Sequence, residues 1–302
     1  MIPSNGARRL FYCDHYAIPL PAGHKFPMSK YRLVRDLLDS DGFYRFECAP
    51  LADPAVVVLA HDAEYVRRFL EGSLPASTIR RIGFPWSEGL VKRTLASVGG
   101  TMSAALDALE RGWGGNLAGG THHAFRSEGA GFCVFNDIAV SIEWLRSQRR
   151  IRRAAIIDLD VHQGDGTAQI FQDDPDVLTI SLHCRSNFPL RKQVSRIDVE
   201  LDDRVGDEEY LRAVDLLLPG VFAFEPEIVY YQSGVDGLAS DSLGKLALTQ
   251  AGLKERDRRV MAAACAHEVP LVVTLGGGYS NPIQLTAEAH ANTFRTAQEI
   301  FL

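Results

Sequence analysis

An α/β fold built on a mostly parallel sheet, covered on both faces, is predicted by three features of the chain. Short apolar runs rich in β-branched residues alternate with longer stretches of helical spacing, the order that parallel strands with helical crossovers require. The glycine-rich places are short and sit at the ends of the strand-like runs. Of the 302 residues 46% are hydrophobic and 23% charged, which supports a large buried core and excludes wholesale disorder.

Strands are expected at 56–59, 154–159, 177–182, 228–232 and 271–275, where the apolar runs are too short for core helices. Helical spacing is found at 31–38, 63–70, 94–110, 135–146, 208–217 and 249–266. No internal repeat, low-complexity stretch or long linker divides the chain, so residues 1–302 are expected to form a single domain. Open α/β sheets carry their sites in the loops after the strands' carboxyl ends, which is where the glycines gather.

The formal net charge of −6 argues against direct nucleic-acid binding, which depends on a dense cationic face. Arg149, Arg150, Arg152 and Arg153 are the local exception and read as a solvated helix end and turn. No apolar run approaches the ~18 residues of a membrane span, and the first ten residues hold no apolar leader segment. Cys13, Cys48, Cys133, Cys184 and Cys265 are odd in number, widely spaced and free of any C-x-x-C pair. Reduced thiols in a cytoplasmic protein are expected from them.

Chemistry concentrates in Asp158-Leu159-Asp160-Val161-His162-Gln163-Gly164-Asp165-Gly166, directly after an apolar run. Alternate residues of extended backbone share a face, so Asp158, Asp160 and His162 can point one way at a strand's end. A carboxylate and an imidazole so placed can both reach one divalent ion, and zinc takes both donors. A helix cap beside a surface histidine is the ordinary alternative. It sits poorly with carboxylates that start inside an apolar strand, because a buried charge without a partner is costly. Asp236, closing Gln232-Ser233-Gly234-Val235-Asp236, completes a set of two carboxylates and one histidine. Gly119-Gly120-Thr121-His122-His123-Ala124 adds adjacent histidines, open to use as a second metal site or as proton-transfer groups. Asp158 and Asp165 are available to fix their tautomers. The run 271–275 leads into Gly276-Gly277-Gly278-Tyr279, which admits close backbone approach and offers a phenol to a developing oxyanion.

Together these blocks resemble the zinc-dependent histone deacetylases of the arginase/deacetylase superfamily, most closely class IV and its bacterial relatives. The resemblance extends through Gly131-Phe132-Cys133-Val134-Phe135-Asn136-Asp137, Ser181-Leu182-His183-Cys184 and Asn187-Phe188-Pro189. It implies a three-layer arginase/deacetylase fold with a parallel eight-stranded sheet. It implies Asp160, His162 and Asp236 as ligands of one catalytic Zn²⁺, a donor set that also accepts Fe²⁺. His123 then matches the general base and acid, supported by Asp165, and His122 its electrostatic partner, supported by Asp158. Tyr279 matches the carbonyl-polarising phenol. Phe132 and Phe188 match the walls of an acyl-lysine tunnel, with the Gly131 carbonyl facing the substrate amide. A structural K⁺ is implied on Asp158, Ser181 and the carbonyls of Asp160, His162 and Leu182. Arg32, after Pro27-Met28, resembles the arginine of an acetate-release channel. One departure stands out: the stretch Arg81-Ile82-Gly83-Phe84-Pro85 has no carboxylate where class I relatives carry a rim aspartate.

The implied reaction is hydrolysis of an acyl-lysine amide, deacetylating or removing fatty acyl groups, in a protein or peptide. An acylated small amine such as an acetylpolyamine would use the same residues and stays open, as do acyl length and oligomeric state. A two-manganese ureohydrolase is disfavoured, because Gly164 and Leu238 stand where its second ion needs carboxylates. A silent interaction module would have lost a ligand, the histidine pair or the tyrosine, and none is missing.

Overall fold

A computed structural model describes residues 8–16 and 18–301. In chain order its elements are β1 (Arg8–Tyr12), α1 (Ser29–Asp41), β2 (Tyr44–Cys48), α2 (Pro54–Val57), α3 (Ala63–Leu70), α4 (Ala76–Ile82) and α5 (Glu88–Arg111). They continue with β3 (Trp113–Asn116), α6 (Asp137–Ser147), β4 (Ala154–Asp158), α7 (Asp165–Ile170), β5 (Val177–Cys184) and β6 (Ile197–Leu201). The last are α8 (Asp207–Ala223), β7 (Ile228–Gln232), α9 (Gln250–Ala266), β8 (Leu271–Thr274) and α10 (Ile283–Ile300).

The eight strands make one sheet in the order β2-β1-β3-β8-β7-β4-β5-β6. Every adjacent pair is parallel. Strands β4, β5, β7 and β8 are buried along their whole length, as the unbroken apolar runs require. The carboxyl ends of β3, β4, β7 and β8 are level, since Asp158 pairs with Gln232 and Thr274 pairs with Gln232 and Asn116, while β5 continues past Ser181, the partner of Asp158. Loops from β3, β4, β7 and β8 therefore leave one edge side by side. Side-chain caps set where helices begin. Asp62 accepts from Tyr65 N at 3.0 Å, Ser87 from Leu90 N at 3.1 Å and Asn136 from Ala139 N at 3.0 Å.

Two differences from the sequence reading have local causes. Residues 56–59 belong to a short helix and turn, not a strand: Asp53 caps Ala55 N at 2.8 Å and Pro54 sits in the first turn, both helix-starting devices. Four strands, β1, β2, β3 and β6, lie outside the predicted runs because their sequences RRLFY, YRFEC, WGGN and IDVEL break the apolar pattern. In β3 the break is a packing requirement, since a Cβ at Gly114 would collide with the Ala104 carbonyl of α5. The arginine cluster at 149–153 lies just past α6; Arg149, Arg150 and Arg152 are exposed and Arg153 is half-buried.

Candidate active site

Asp160 and His162 follow β4, and Asp236 follows β7, the strand beside it. The ligating atoms of the three residues all lie within 4.8 Å of one another. His162 Nδ1 is 3.0 Å from Asp160 Oδ1 and 3.0 Å from Asp236 Oδ2. Asp160 Oδ2 also accepts from Gly277 N at 2.7 Å and Gln232 Nε2 at 3.0 Å, and Asp236 Oδ1 from Val161 N at 2.9 Å. Side chains at 234 and 277 would collide with Asp160 and Asp236, so glycine is required at both for the loops to close on the carboxylates.

Two buried carboxylates against one imidazole make sense only around positive charge. Burial opposes a proton on His162, but Asp160 and Asp236 outweigh it and push its pKa up to about 10. Burial and the neighbouring Asp160 push Asp236 up to about 7. The donor set and its electrostatics fit one divalent cation. A metal using His162 must displace a proton held below about pH 10, so its apparent affinity is expected to rise by up to about a decade per pH unit through neutrality. Metal titrations at several pH values check this; a flat profile contradicts it.

The β3 loop delivers the histidine pair. Asp137, capping that loop, accepts from Gly120 N at 3.2 Å and Thr121 N at 2.8 Å. His122 Nδ1 meets Asp158 Oδ2 at 2.7 Å, and His123 Nδ1 meets Asp165 Oδ1 at 2.6 Å. Each carboxylate fixes its ring, so Nε2 is the free nitrogen of a neutral His123. The rings lie 4.1 Å apart, so only one of them readily carries positive charge. Burial opposes charge on both. At His122 the carboxylates of Asp158 and Asp160 win, raising it to about 9. At His123 burial, reinforced by the charge on His122, lowers it to about 4. Among the described residues the pair belongs to no group of three ligating side chains.

A cavity of about 620 Å³ opens above these groups and is lined by His123, Gly131, Phe132, His162, Phe188 and Tyr279 among others. Phe132 holds a positive φ of 66°, uncommon for a bulky residue, with its N–H on the Ile82 carbonyl at 2.8 Å. Phe188 meets His123 edge-on at 4.9 Å. Tyr279 is fixed through its backbone: its N–H donates to Asp241 Oδ2 at 2.6 Å and its carbonyl accepts from Ser242 N at 3.2 Å. Burial, then the carboxylates of Asp236 and Asp160, hold its phenol well above the usual range, so it stays a donor. Asp158 and Ser181 face each other across β4 and β5, with Leu182 next in line.

Arg32 is not at the site. It is exposed, with a side chain 65% accessible, and pairs with Asp36 one helical turn away. Lys30 and Tyr31 turn inward instead. Lys30 is fully buried, donates from Nζ to the Gly276 carbonyl at 2.9 Å and lies 5.2 Å from the Tyr279 ring. Arg93 of α5 is buried too, its guanidinium 4.2 Å from the Tyr31 ring and its Nη1 without a partner among the described residues. Two small cavities of about 50 Å³ each lie on this side. One borders Asp160, His162 and Tyr279, the other Arg93, and both share Phe26, Tyr31, Thr121 and Phe132.

Sequence reasoning also passed over Asn187, Gln232, Asp137 and Asp241 as supports. Asn187 ties the loop after β5 to the one after β7, donating to the Leu243 carbonyl at 2.7 Å and accepting from Lys245 N at 3.0 Å. Asp137 and Gln232 stand inside buried segments, a signal that marks such residues from sequence, whereas Asn187 and Asp241 lie in loops with exposed neighbours and carry no such mark.

The parallel sheet thus brings a group of side chains able to hold a metal ion, two histidine–carboxylate pairs and a phenol together beside one cavity at its strand ends. Residues 24–296 match the histone deacetylase domain. An uncharacterized protein of Picosynechococcus sp. is 43% identical over 294 residues, 96% of this chain and 98% of that protein. Histone deacetylase 2 of Arabidopsis thaliana is 35% identical over 271 residues, covering 85% and 70%. A histone deacetylase-like amidohydrolase of Pseudomonas aeruginosa is 31% identical over 282 residues, covering 87% and 74%. The chain belongs to the histone deacetylase family, and its activity class is deacetylase-type amide hydrolysis. Among the described residues no helix is long and apolar enough to cross a membrane.

Proposed function

We propose that the protein is a lysine deacylase using one divalent ion, zinc by the donor set with Fe²⁺ as the other candidate, on Asp160, His162 and Asp236. The observation that supports it best is the convergence of these three ligands with His123 and Tyr279 at the foot of one tunnel. An ion bound there supplies Lewis acidity toward the amide carbonyl and acidifies water. His123, neutral and held by Asp165, takes the proton of the attacking water at Nε2 and returns it to the departing amine. Tyr279 donates its hydroxyl to the carbonyl oxygen as that oxygen gains charge. His122, protonated against Asp158, adds positive charge beside the reacting centre. Phe132 and Phe188 hold the acyl-lysine stem, and the Gly131 carbonyl receives the amide N–H.

A structural K⁺ on Asp158, Ser181 and the carbonyls of Asp160, His162 and Leu182 belongs to the same reading. Arg93, which lines one of the two inner cavities with Nη1 unpartnered among the described residues, takes the part expected of Arg32 and draws the carboxylate product inward. Residues 1–302 act as a single catalytic domain, and the free thiols fit a reducing cytoplasm.

The test is a panel of acyl-lysine peptides and acylpolyamines, acetyl to myristoyl, assayed with zinc-loaded protein and metal analysis. Peptide amide hydrolysis with one metal per chain is expected. Hydrolysis confined to polyamines, or a requirement for two manganese ions, overturns the reading.

A further inference from the structure

The mouth of the tunnel is basic, in a chain whose formal net charge is −6. Lys25, Arg80, Arg81 and Lys245 line it, and none of the residues lining the cavity carries a carboxylate. The four are exposed and come from three separate parts of the chain: the segment before α1, the end of α4 and the loop after β7. Their meeting is a product of the fold, not of one charge run.

Two of the four are already engaged. Arg81 forms an ion pair with Glu128. Lys245 lies 4.0 Å from Asp203 and donates to Ser186 Oγ at 2.9 Å. Lys25 and Arg80 are left without an acidic partner among the described residues. A substrate that lowers a thin apolar arm between Phe132 and Phe188 keeps the rest of itself at this rim. Any charge it carries near the amine is there brought among cations. Positive charge is repelled, and negative charge finds two unpaired partners.

We propose that this rim makes the enzyme selective for acyl-lysine flanked by Asp or Glu in an acidic peptide segment, over basic tails and cationic polyamines. The inference rests on the deacylase reading above and narrows its substrate class. Exposed pairs are individually weak, so two unpaired cations together give a preference of roughly tenfold at low salt. It shrinks in about 1 M salt, where the screening length falls to ~3 Å.

The test compares kcat/KM of the zinc-loaded protein on acetyl-lysine peptides identical except for flanking Asp/Glu, Ala or Lys/Arg. Acetylputrescine and Nε-acetyllysine blocked at its α-amine are the small-molecule arms. The expected order is acidic, neutral, then basic, compressed by salt. Lys25→Glu with Arg80→Glu is expected to reverse that order, and Lys25→Arg with Arg80→Lys to preserve it. The ratio is taken within one preparation, so a general loss of fold cancels. Equal rates on the three peptides, or an order untouched by the double glutamate variant, overturn the rim proposal and leave deacylation standing. The blocked amino acid serving as well as the acidic peptide overturns the peptide as the source of the charge. No hydrolysis of any acyl amide overturns the deacylase reading, and this proposal with it.

Discussion

Asp160→Ala is expected to abolish turnover by removing the metal, whereas Asp158→Asn leaves metal bound and loses about 10- to 100-fold in activity. The two carboxylates are two residues apart but have different partners. Asp160 is in the group of three converging side chains, and its oxygens organise His162, Gly277 N and Gln232. Asp158 instead holds His122 Nδ1 at 2.7 Å and belongs to no such group. Alanine at 160 removes a ligand and leaves the Gly277 N–H facing a cavity. Asparagine at 158 keeps the shape and weakens the partner that holds charge on His122. Metal content after dialysis, set beside kcat for both variants, separates the cases. Equal metal loss from both would place Asp158 among the ligands.

The parts of the site that could be read from sequence share one property: their geometry is local to a strand's end. Asp158, Asp160 and His162 alternate along one backbone, and Asp236 and Tyr279 each follow an apolar run by a few residues. Strand ends level in a parallel sheet then bring the loops together without further information. Arg32 shows where this stops. Neighbours two apart on a helix point about 200° away from each other, so burial of Lys30 and exposure of Arg32 are one decision about helix phase. Lys30 is held inside by the Gly276 carbonyl, 246 positions away, and by the faces of Phe26, Tyr31 and Tyr279. No local pattern contains the contacts to Gly276 and Tyr279. The same holds for the outer strands: β1 and β2 are recognisable only once paired, because arginines on half-buried strands break the apolar runs. The rim is intermediate. Sequence showed that an aspartate was missing, while the fold showed which cations meet there.

His123→Ala and Tyr279→Phe are expected to cripple turnover by separable routes, with metal retained in both. His123 sits with Nδ1 on Asp165 and a pKa lowered to about 4 by burial and by the charge on His122. Its base form therefore persists above about pH 4, and activity dependent on it falls as pH drops through that value. Alanine removes the base, for a loss of roughly 100- to 10,000-fold, and with it that acid limb of the kcat/KM profile measured with excess metal. Tyr279→Phe leaves the limb in place. It keeps the ring against Phe26 and Phe132, and the backbone bonds to Asp241 and Ser242, so the glycine turn and the tunnel wall are unchanged. Only the hydroxyl goes. Because burial and two nearby carboxylates keep that hydroxyl protonated, its service to the reaction is as a donor to charge that appears in the transition state. The loss should therefore fall on kcat, by roughly 100- to 1,000-fold, with little change in substrate affinity. Steady-state kinetics on the best acyl-lysine peptide decide it. Near-normal kcat would make Tyr279 a packing residue, and a loss confined to KM would make its hydroxyl a ground-state contact.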